Sequence, residues 1–279
     1  MMIGDVHSSQ RNASGSSWSI EQLYDHIAAH TPGPIPVLTE GGRNRNRLRS
    51  VDTLRRRQAH AISHSKFAVH WCDWRFLLPT YKLHLALSTA LRQVTALSRG
   101  SELSVDEVKQ NLRNVVDMYK ELKSFGANDF VRRCIERYHD YAVVFDKLDR
   151  PGAIIVRDYN RTNVGRDFEA QLSRAMRKLV QGLGAVYAAV TSSQFTRPFH
   201  DGVFDMIRLV KLCSKLENAV FESYVLSLML SVNASITIIH LGQNHVDALT
   251  KWMTRPGLNF ERVYAGKELS HDRVDVTGF

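Results

Sequence analysis

Residues 236–245 of the chain read Ile236-Thr237-Ile238-Ile239-His240-Leu241-Gly242-Gln243-Asn244-His245. A short run of apolar and β-branched residues is typical of a buried strand, so we predict a β-strand over residues 236–241. Gly242 follows directly, and a glycine allows the backbone to turn sharply where a strand ends. The apolar spacing that continues to Met253 predicts a helix, so the stretch indicates a strand–turn–helix unit.

Further strand segments of this kind lie on either side of long helical stretches. We predict short strands over residues 1–4, 35–38, 67–72 and 260–264, a short strand or buried turn over 153–156, and helices over 18–30, 82–141, 168–190 and 203–230. Short apolar strands that alternate with helices favour an α/β fold with a mostly parallel central sheet covered by helices. We expect one domain, residues 1–279, with sheet-forming segments at about 1–75 and 219–279 and a long helical insert at about 80–218.

The composition is that of a globular protein, with 44% hydrophobic and 23% charged residues. No stretch reaches the roughly 18 to 20 consecutive apolar residues of a membrane span, and the first residues lack the pattern of a secretory signal. The three cysteines, Cys72, Cys134 and Cys213, are isolated and form no C-x-x-C pair, which is typical of a reducing compartment. We therefore expect a protein of the cytoplasm, or of a particle assembled there, that is neither secreted nor membrane-spanning.

The formal net charge is +9, and one segment contributes much of it. Between residues 43 and 66, Lys66 and seven arginines are opposed only by Asp52; the arginines are Arg43, Arg45, Arg47, Arg49, Arg55, Arg56 and Arg57. Such a segment predicts an anionic partner or nucleic acid. A solvated loop and helix face would have the same composition, and the segment lacks the interleaved aromatic residues that single-strand binding normally uses.

Polar clusters follow four of the predicted strands, at the positions where ligands bind in open α/β sheets. They are Gly4-Asp5-Val6-His7, Glu40-Gly41-Gly42, Asp73-Trp74-Arg75 and Gly242-Gln243-Asn244-His245. The first and last share the pattern G-x-x-H, in which the glycine allows close backbone approach and the histidine returns over the sheet edge. We expect His7 and His245 to converge, with Glu40 and Asp5 as carboxylate partners. Taken singly, each motif is more typical of a histidine at the surface, or of one whose hydrogen bonds are satisfied within the protein, than of a site residue.

The paired G-x-x-H motifs resemble those of the TraB/Tiki superfamily, which includes erythromycin-esterase-like and ChaN-like proteins. In that family a first strand ends in a G-E-x-H-like motif, a strand soon after ends in Glu, and a late strand ends in a second G-x-x-H. These three motifs have counterparts, in the same order and at the ends of predicted strands, in residues 3–7, 37–40 and 238–245. A last predicted strand then follows residues 252–257. Asp5 stands where the family usually has Glu, and only three residues precede Gly4.

The resemblance covers roughly the first 75 and the last 60 residues, and the helical middle of the chain is not diagnostic. Residues 70–75 and 222–224 are also similar to members of the family that large DNA viruses encode. For this chain, that similarity implies a protein of the cytoplasm or of a virion assembled there.

The resemblance implies hydrolase chemistry of the peptidase or esterase type on a small-molecule or peptide substrate, although some members have binding roles only. His7, Glu40 and His245, with Asp5 beside them, would supply nitrogen and oxygen ligands to one divalent metal (Zn, Mn or Co) and leave a position open for water. The same residues would work without a metal if one histidine acts as general base and a carboxylate orients it. Arg75 would then stabilise a developing oxyanion.

Two other functions compete with a hydrolase of this type. Residues 4–7 also resemble the opening D-x-H motif of calcineurin-like metallophosphoesterases, but the further motifs G-D-x-x-D, G-N-H-D/E and G-H-x-H do not occur in the chain. A non-catalytic structural or nucleic-acid-associated protein, such as a virion protein, would retain the same histidines, and the basic segment favours it. Nucleic-acid affinity that falls steeply with rising salt would distinguish this class from a hydrolase.

Overall fold

Four short apolar segments form one parallel sheet. A computed structural model of the chain describes residues 2–5, 17–40, 65–123, 144, 146–164, 168–232, 234, 236–253 and 273–275. Strands β1 (Met2–Asp5), β3 (Ile35–Thr39), β4 (Phe67–Trp71) and β5 (Ile238–Gly242) pair in the order β1-β5-β3-β4. Strands β2 (Ser17–Ser19) and β6 (Arg273–Asp275) form a separate antiparallel pair. Every residue of β3 and β5 is buried, as expected for apolar strands in a sheet covered on both faces.

Helices account for most of the described residues. They are α1 (Ile20–His30), α2 (Pro79–Ser98), α3 (Val105–Lys123), α4 (Arg150–Tyr159), α5 (Phe168–Ser192), α6 (Arg197–Ser231) and α7 (Gln243–Met253). A mostly helical chain with a small parallel sheet is the accurate description. The predicted mostly parallel central sheet is overstated, because each of its strands has only four or five residues. Among the helices in the described ranges, none is both long and apolar enough to cross a bilayer.

The chain divides into two compact units, and the first unit contains both sheets. It consists of Met1–Asp73, Val143–Val156 and Phe221–Phe279. Within this unit helix α7 packs against β1 and β5, so the helix that follows β5 covers the strand from which it emerges. The predicted single domain with an insert at about 80–218 stays a prediction.

The second unit, Trp74–Ala142 and Arg157–Val220, is helical in its described part. Helices α2, α3 and α5 pack on one another through fully buried side chains at helical spacing, among them Leu83, Leu87, Ala90, Val94, Val108, Leu112 and Val115. Helices α5 and α6 also come close together. A Cβ atom on Gly202 would lie 2.5 Å from Cγ2 of Val186, so only glycine fits at that position.

Several predicted element boundaries differ from the observed ones. Residues 153–156, predicted as a short strand or buried turn, lie within α4, because the Asp149 side chain accepts the Gly152 N–H at 2.7 Å and caps the first helical turn. The helix predicted from residue 18 begins at Ile20, since residues 17–19 form β2. The strand predicted over 260–264 lies outside the described residues.

Candidate functional site

The second G-x-x-H motif joins strand β5 to helix α7. Gly242 is the last residue of the strand, Gln243 begins the helix, and His245 therefore lies in the first helical turn. This placement explains the spacing of the motif, because a residue three positions after the strand end turns back toward the sheet. His245 is 7% exposed, so its imidazole is almost fully removed from water.

A buried carboxylate holds one side of the His245 ring. The Nδ1 atom lies 2.7 Å from Oε1 of Glu222, which is part of helix α6 and is itself 8% exposed. Because an ionised carboxylate only accepts, Nδ1 carries the proton and donates it. The ring of Phe221 packs edge-on against the imidazole with the ring centroids 4.7 Å apart. The hydrogen bond and the aromatic contact together fix the orientation of the imidazole.

A second carboxylate lies on the opposite side of the ring. Glu40 directly follows β3, and its Oε1 atom is 3.6 Å from Nε2 of His245. Its Oε2 atom accepts the backbone N–H of Gly242 at 2.9 Å, and its own N–H donates to the His240 carbonyl at 3.3 Å. Glu40 therefore lies at the N-terminal end of α7, where the helix dipole favours a negative charge.

These contacts define the strand-end cluster, which consists of Glu40, Glu222 and His245. Thr39 of β3 pairs with His240 of the neighbouring parallel strand β5. The carboxyl ends of the two strands therefore bring Glu40 and His245 together. The cluster presents an oriented imidazole nitrogen beside a carboxylate oxygen, an arrangement that can activate a water molecule by accepting its proton. Glu222 would stabilise the imidazolium that results.

The geometry of the cluster also fits two ligands of a divalent metal. Nitrogen and oxygen ligands of a tetrahedral zinc ion lie about 3.4 Å apart, and the observed separation between Nε2 of His245 and Oε1 of Glu40 is 3.6 Å. The hydrogen bond from Nδ1 to Glu222 is the outer-shell contact that metal-binding histidines commonly make. Within the described ranges no three His, Cys, Asp or Glu side chains converge on one metal position, so a third ligand would have to come from elsewhere.

Several predicted site residues are not placed in this cluster. His7 lies outside the described residues, as do all seven arginines of the 43–57 segment. The backbone of Gly4 pairs with Leu241 and that of Asp5 with Gly242, so β1 ends beside β5. Their convergence with His245 stays a prediction.

Arg75 belongs to the second unit, where Nη1 donates to Oδ1 of Asn218 at 2.8 Å. Its predicted role with a developing oxyanion stays a prediction. Cys72 is fully buried, and burial raises the pKa of its thiol, which keeps the thiol protonated and argues against a nucleophilic role.

Two residues in or beside the site were not assigned a role from the sequence. Glu222 lies 23 positions before His245, on a different helix, and only tertiary packing reveals the pair. Tyr24 shares a buried hydrogen bond of 3.1 Å with Nδ1 of His240, in the strand that leads into the motif. The available signals were the polar residues Glu222 and His240, which lie among apolar neighbours in the sequence, because buried polar groups require partners.

Comparison of the chain with protein-family models, with curated proteins and with solved structures gives no match in any of the three. The resemblance to the TraB/Tiki superfamily therefore stays a prediction from the motifs.

Proposed function

We propose that the chain is a hydrolase and that the strand-end cluster of Glu40, Glu222 and His245 is its catalytic centre. The observation that carries the proposal is the 2.7 Å hydrogen bond from His245 Nδ1 to Glu222, which turns Nε2 toward Glu40 at 3.6 Å. A histidine oriented by one buried carboxylate and facing a second polar group is the arrangement that general-base catalysis requires.

In the mechanism that needs the fewest components, Nε2 of His245 takes a proton from a water molecule as the water oxygen attacks a carbonyl carbon. Glu222 stabilises the imidazolium through the Nδ1 hydrogen bond, because a charge-assisted bond strengthens when its donor becomes cationic. Glu40, which the Gly242 N–H holds in place, positions the attacking water. The imidazolium then donates this proton to the leaving oxygen or nitrogen as the bond between that atom and the carbonyl carbon breaks.

The same residues would hold one divalent metal (Zn, Mn or Co) through Nε2 of His245 and Oε1 of Glu40, with His7 as the third ligand that the motifs predict. Such an ion supplies Lewis acidity and makes bound water easier to deprotonate. In this case Glu222 keeps Nδ1 protonated and directs Nε2 toward the ligand position. The substrate class is an ester or peptide, as the resemblance to TraB/Tiki proteins implies.

The test is hydrolysis of a panel of esters and peptides by the wild-type chain, stripped of metal with chelator and then resupplied with zinc, manganese or cobalt. The variant His245→Asn removes the imidazole of the proposed catalytic centre. His84→Asn is the matched control, because His84 makes a 2.7 Å bond to Glu217 in the second unit. We expect product from the wild type and from His84→Asn and loss of product with His245→Asn. If the wild type hydrolyses nothing under any of these conditions, the proposal is wrong.

Metal content of the same proteins separates the two mechanisms. A stoichiometric metal in the wild type that His245→Asn removes and His84→Asn retains supports the metal mechanism. Full hydrolysis by chelator-treated protein supports His245 as general base.

The net charge of +9 favours a second candidate, a nucleic-acid-associated protein that binds through the arginines of the 43–57 segment. Binding of this kind weakens steeply as salt rises, because phosphate contacts release counterions. We expect a variant with all seven arginines changed to glutamine to lose nucleic-acid affinity if this candidate is correct. Unchanged affinity in that variant would exclude the segment as the binding site.

A further inference from the structure

A basic groove lies between helices α5 and α6 in the second unit. Its volume is about 440 Å³, and five of its lining side chains are cationic, namely Arg174, Lys178, Arg208, Lys211 and Lys215. These five are among only seven lysines and arginines on the two helices, so the positive charge is concentrated on the faces that line the groove. The buried Ala175 and the half-buried Leu212 complete the lining between the two rows of charge.

The basic side chains of the groove are poorly neutralised. Arg208 has Asp205 at 3.7 Å, one helical turn away. Among the residues that the structure describes, the other four have no carboxylate partner, and none of the lining residues is acidic. Like charges four residues apart on a helix repel each other, as at Arg174 and Lys178 or at Lys211 and Lys215. A bound anion would relieve this repulsion.

The dimensions of the groove indicate the size of the anion. Arg208 and Lys215 are seven residues apart on α6, which corresponds to roughly 10 Å along the helix axis. This length and the volume of about 440 Å³ accommodate a small ligand with two or three linked phosphate groups. No aromatic side chain is among the described residues that line the groove, so these residues offer no surface on which bases would stack. Arginine guanidinium groups pair with phosphate oxygens in bidentate fashion.

We propose that the groove binds the polyphosphate group of a small ligand, such as a nucleoside triphosphate or a short inorganic polyphosphate. Phosphate oxygens lie between the two rows of cations, and the aliphatic parts of the lysines pack over Ala175 and Leu212. Recognition depends on linked phosphates rather than on a base. This site is independent of the strand-end cluster, and it also differs from the arginine segment at 43–57.

The test is calorimetric titration of the full chain with inorganic tripolyphosphate, orthophosphate, a nucleoside triphosphate and a 20-base-pair DNA duplex. We expect tripolyphosphate to bind at one site. Lys178→Gln combined with Lys211→Gln should weaken this binding about tenfold, since the loss of each exposed ion pair weakens it by about threefold. Arg177→Gln combined with Arg197→Gln is the matched control. It removes two cations from the same helices but outside the groove, and we expect a change of less than about twofold.

Equal affinity of the nucleoside triphosphate and tripolyphosphate supports recognition through phosphates alone. Tripolyphosphate affinity that the groove variant leaves unchanged would overturn the proposal. Tight binding of the DNA duplex without saturable binding of tripolyphosphate would also overturn it and would indicate a nucleic-acid surface instead.

Discussion

Replacing Glu222 by glutamine should reduce the stability of the first unit by about 1 kcal/mol. The substitution keeps the volume of the side chain and an oxygen that accepts the His245 Nδ1–H, but it removes the negative charge at 2.7 Å. Hydrogen bonds to charged groups contribute about 1.5–3 kcal/mol and neutral ones about 0.5–1.5 kcal/mol, so the difference is about 1 kcal/mol. The side chains of His245 and Glu222, taken without their backbone, are only 9% and 10% exposed, so solvent screens the bond little.

Glu222→Ala should cost about 3 kcal/mol, because it removes the partner of a buried donor altogether. Urea unfolding followed by tryptophan fluorescence measures both effects. A Trp74→Phe background makes the signal specific to the first unit, since that unit contains the other three tryptophans, Trp18, Trp71 and Trp252. If Glu222→Ala unfolds at the same urea concentration as its parent, the bond does not hold the imidazole and the reasoning is refuted.

Four further substitutions test other parts of the structure. In thermal unfolding, Gly202→Ala should lower the free energy of unfolding by about 2 kcal/mol, because the new Cβ overpacks a helix contact. Gly184→Ala should raise it by up to about 1 kcal/mol, because nothing lies within 4 Å of the new Cβ. Equal effects of the two substitutions would contradict the close approach of α5 and α6. Tyr24→Phe should cost about 1–2 kcal/mol in urea unfolding through its buried bond to His240, and an unchanged midpoint would contradict this. Burial raises the pKa of Cys72 above its usual 9.0. Above that pH the thiol ionises more readily in the unfolded chain than in the folded one. The free energy of unfolding therefore falls as the pH rises above this value. The stability gap between wild type and Cys72→Ala should narrow from pH 7 to pH 10, and a constant gap would contradict the raised pKa.

The strands of the sheet were predictable because their hydrophobic pattern is local. Residues 236–241 are mostly apolar or β-branched, and the observed strand β5, Ile238–Gly242, overlaps them. Residues 153–156 are a similar apolar run but lie in a helix. Short apolar runs do not distinguish a buried strand from one face of a helix, and here the cap at Asp149 decides between them. That cap is a sequence signal, since Pro151 follows at the second helical position.

Two of the three residues of the strand-end cluster were among the candidates predicted from the sequence. Glu40 and His245 were predicted to meet because the carboxyl ends of parallel strands share one sheet edge, and they lie 3.6 Å apart. Glu222 was not predicted, because its position on α6 relative to α7 depends on how the helices pack rather than on any spacing in the sequence. Arg75 was assigned to the site from its place after β4, yet it belongs to the second unit and hydrogen-bonds to Asn218 within that unit.

The most direct test of the catalytic claim compares Glu222→Gln with Glu217→Gln in the ester and peptide panel. Glu217 is the matched control, because its Oε2 atom accepts from His84 Nδ1 at the same 2.7 Å distance in the second unit. We expect Glu222→Gln to lower kcat by about 10²-fold or more, whereas Glu217→Gln should stay within about twofold of the wild type. Equal turnover by the two variants would contradict a catalytic role for the histidine that Glu222 orients.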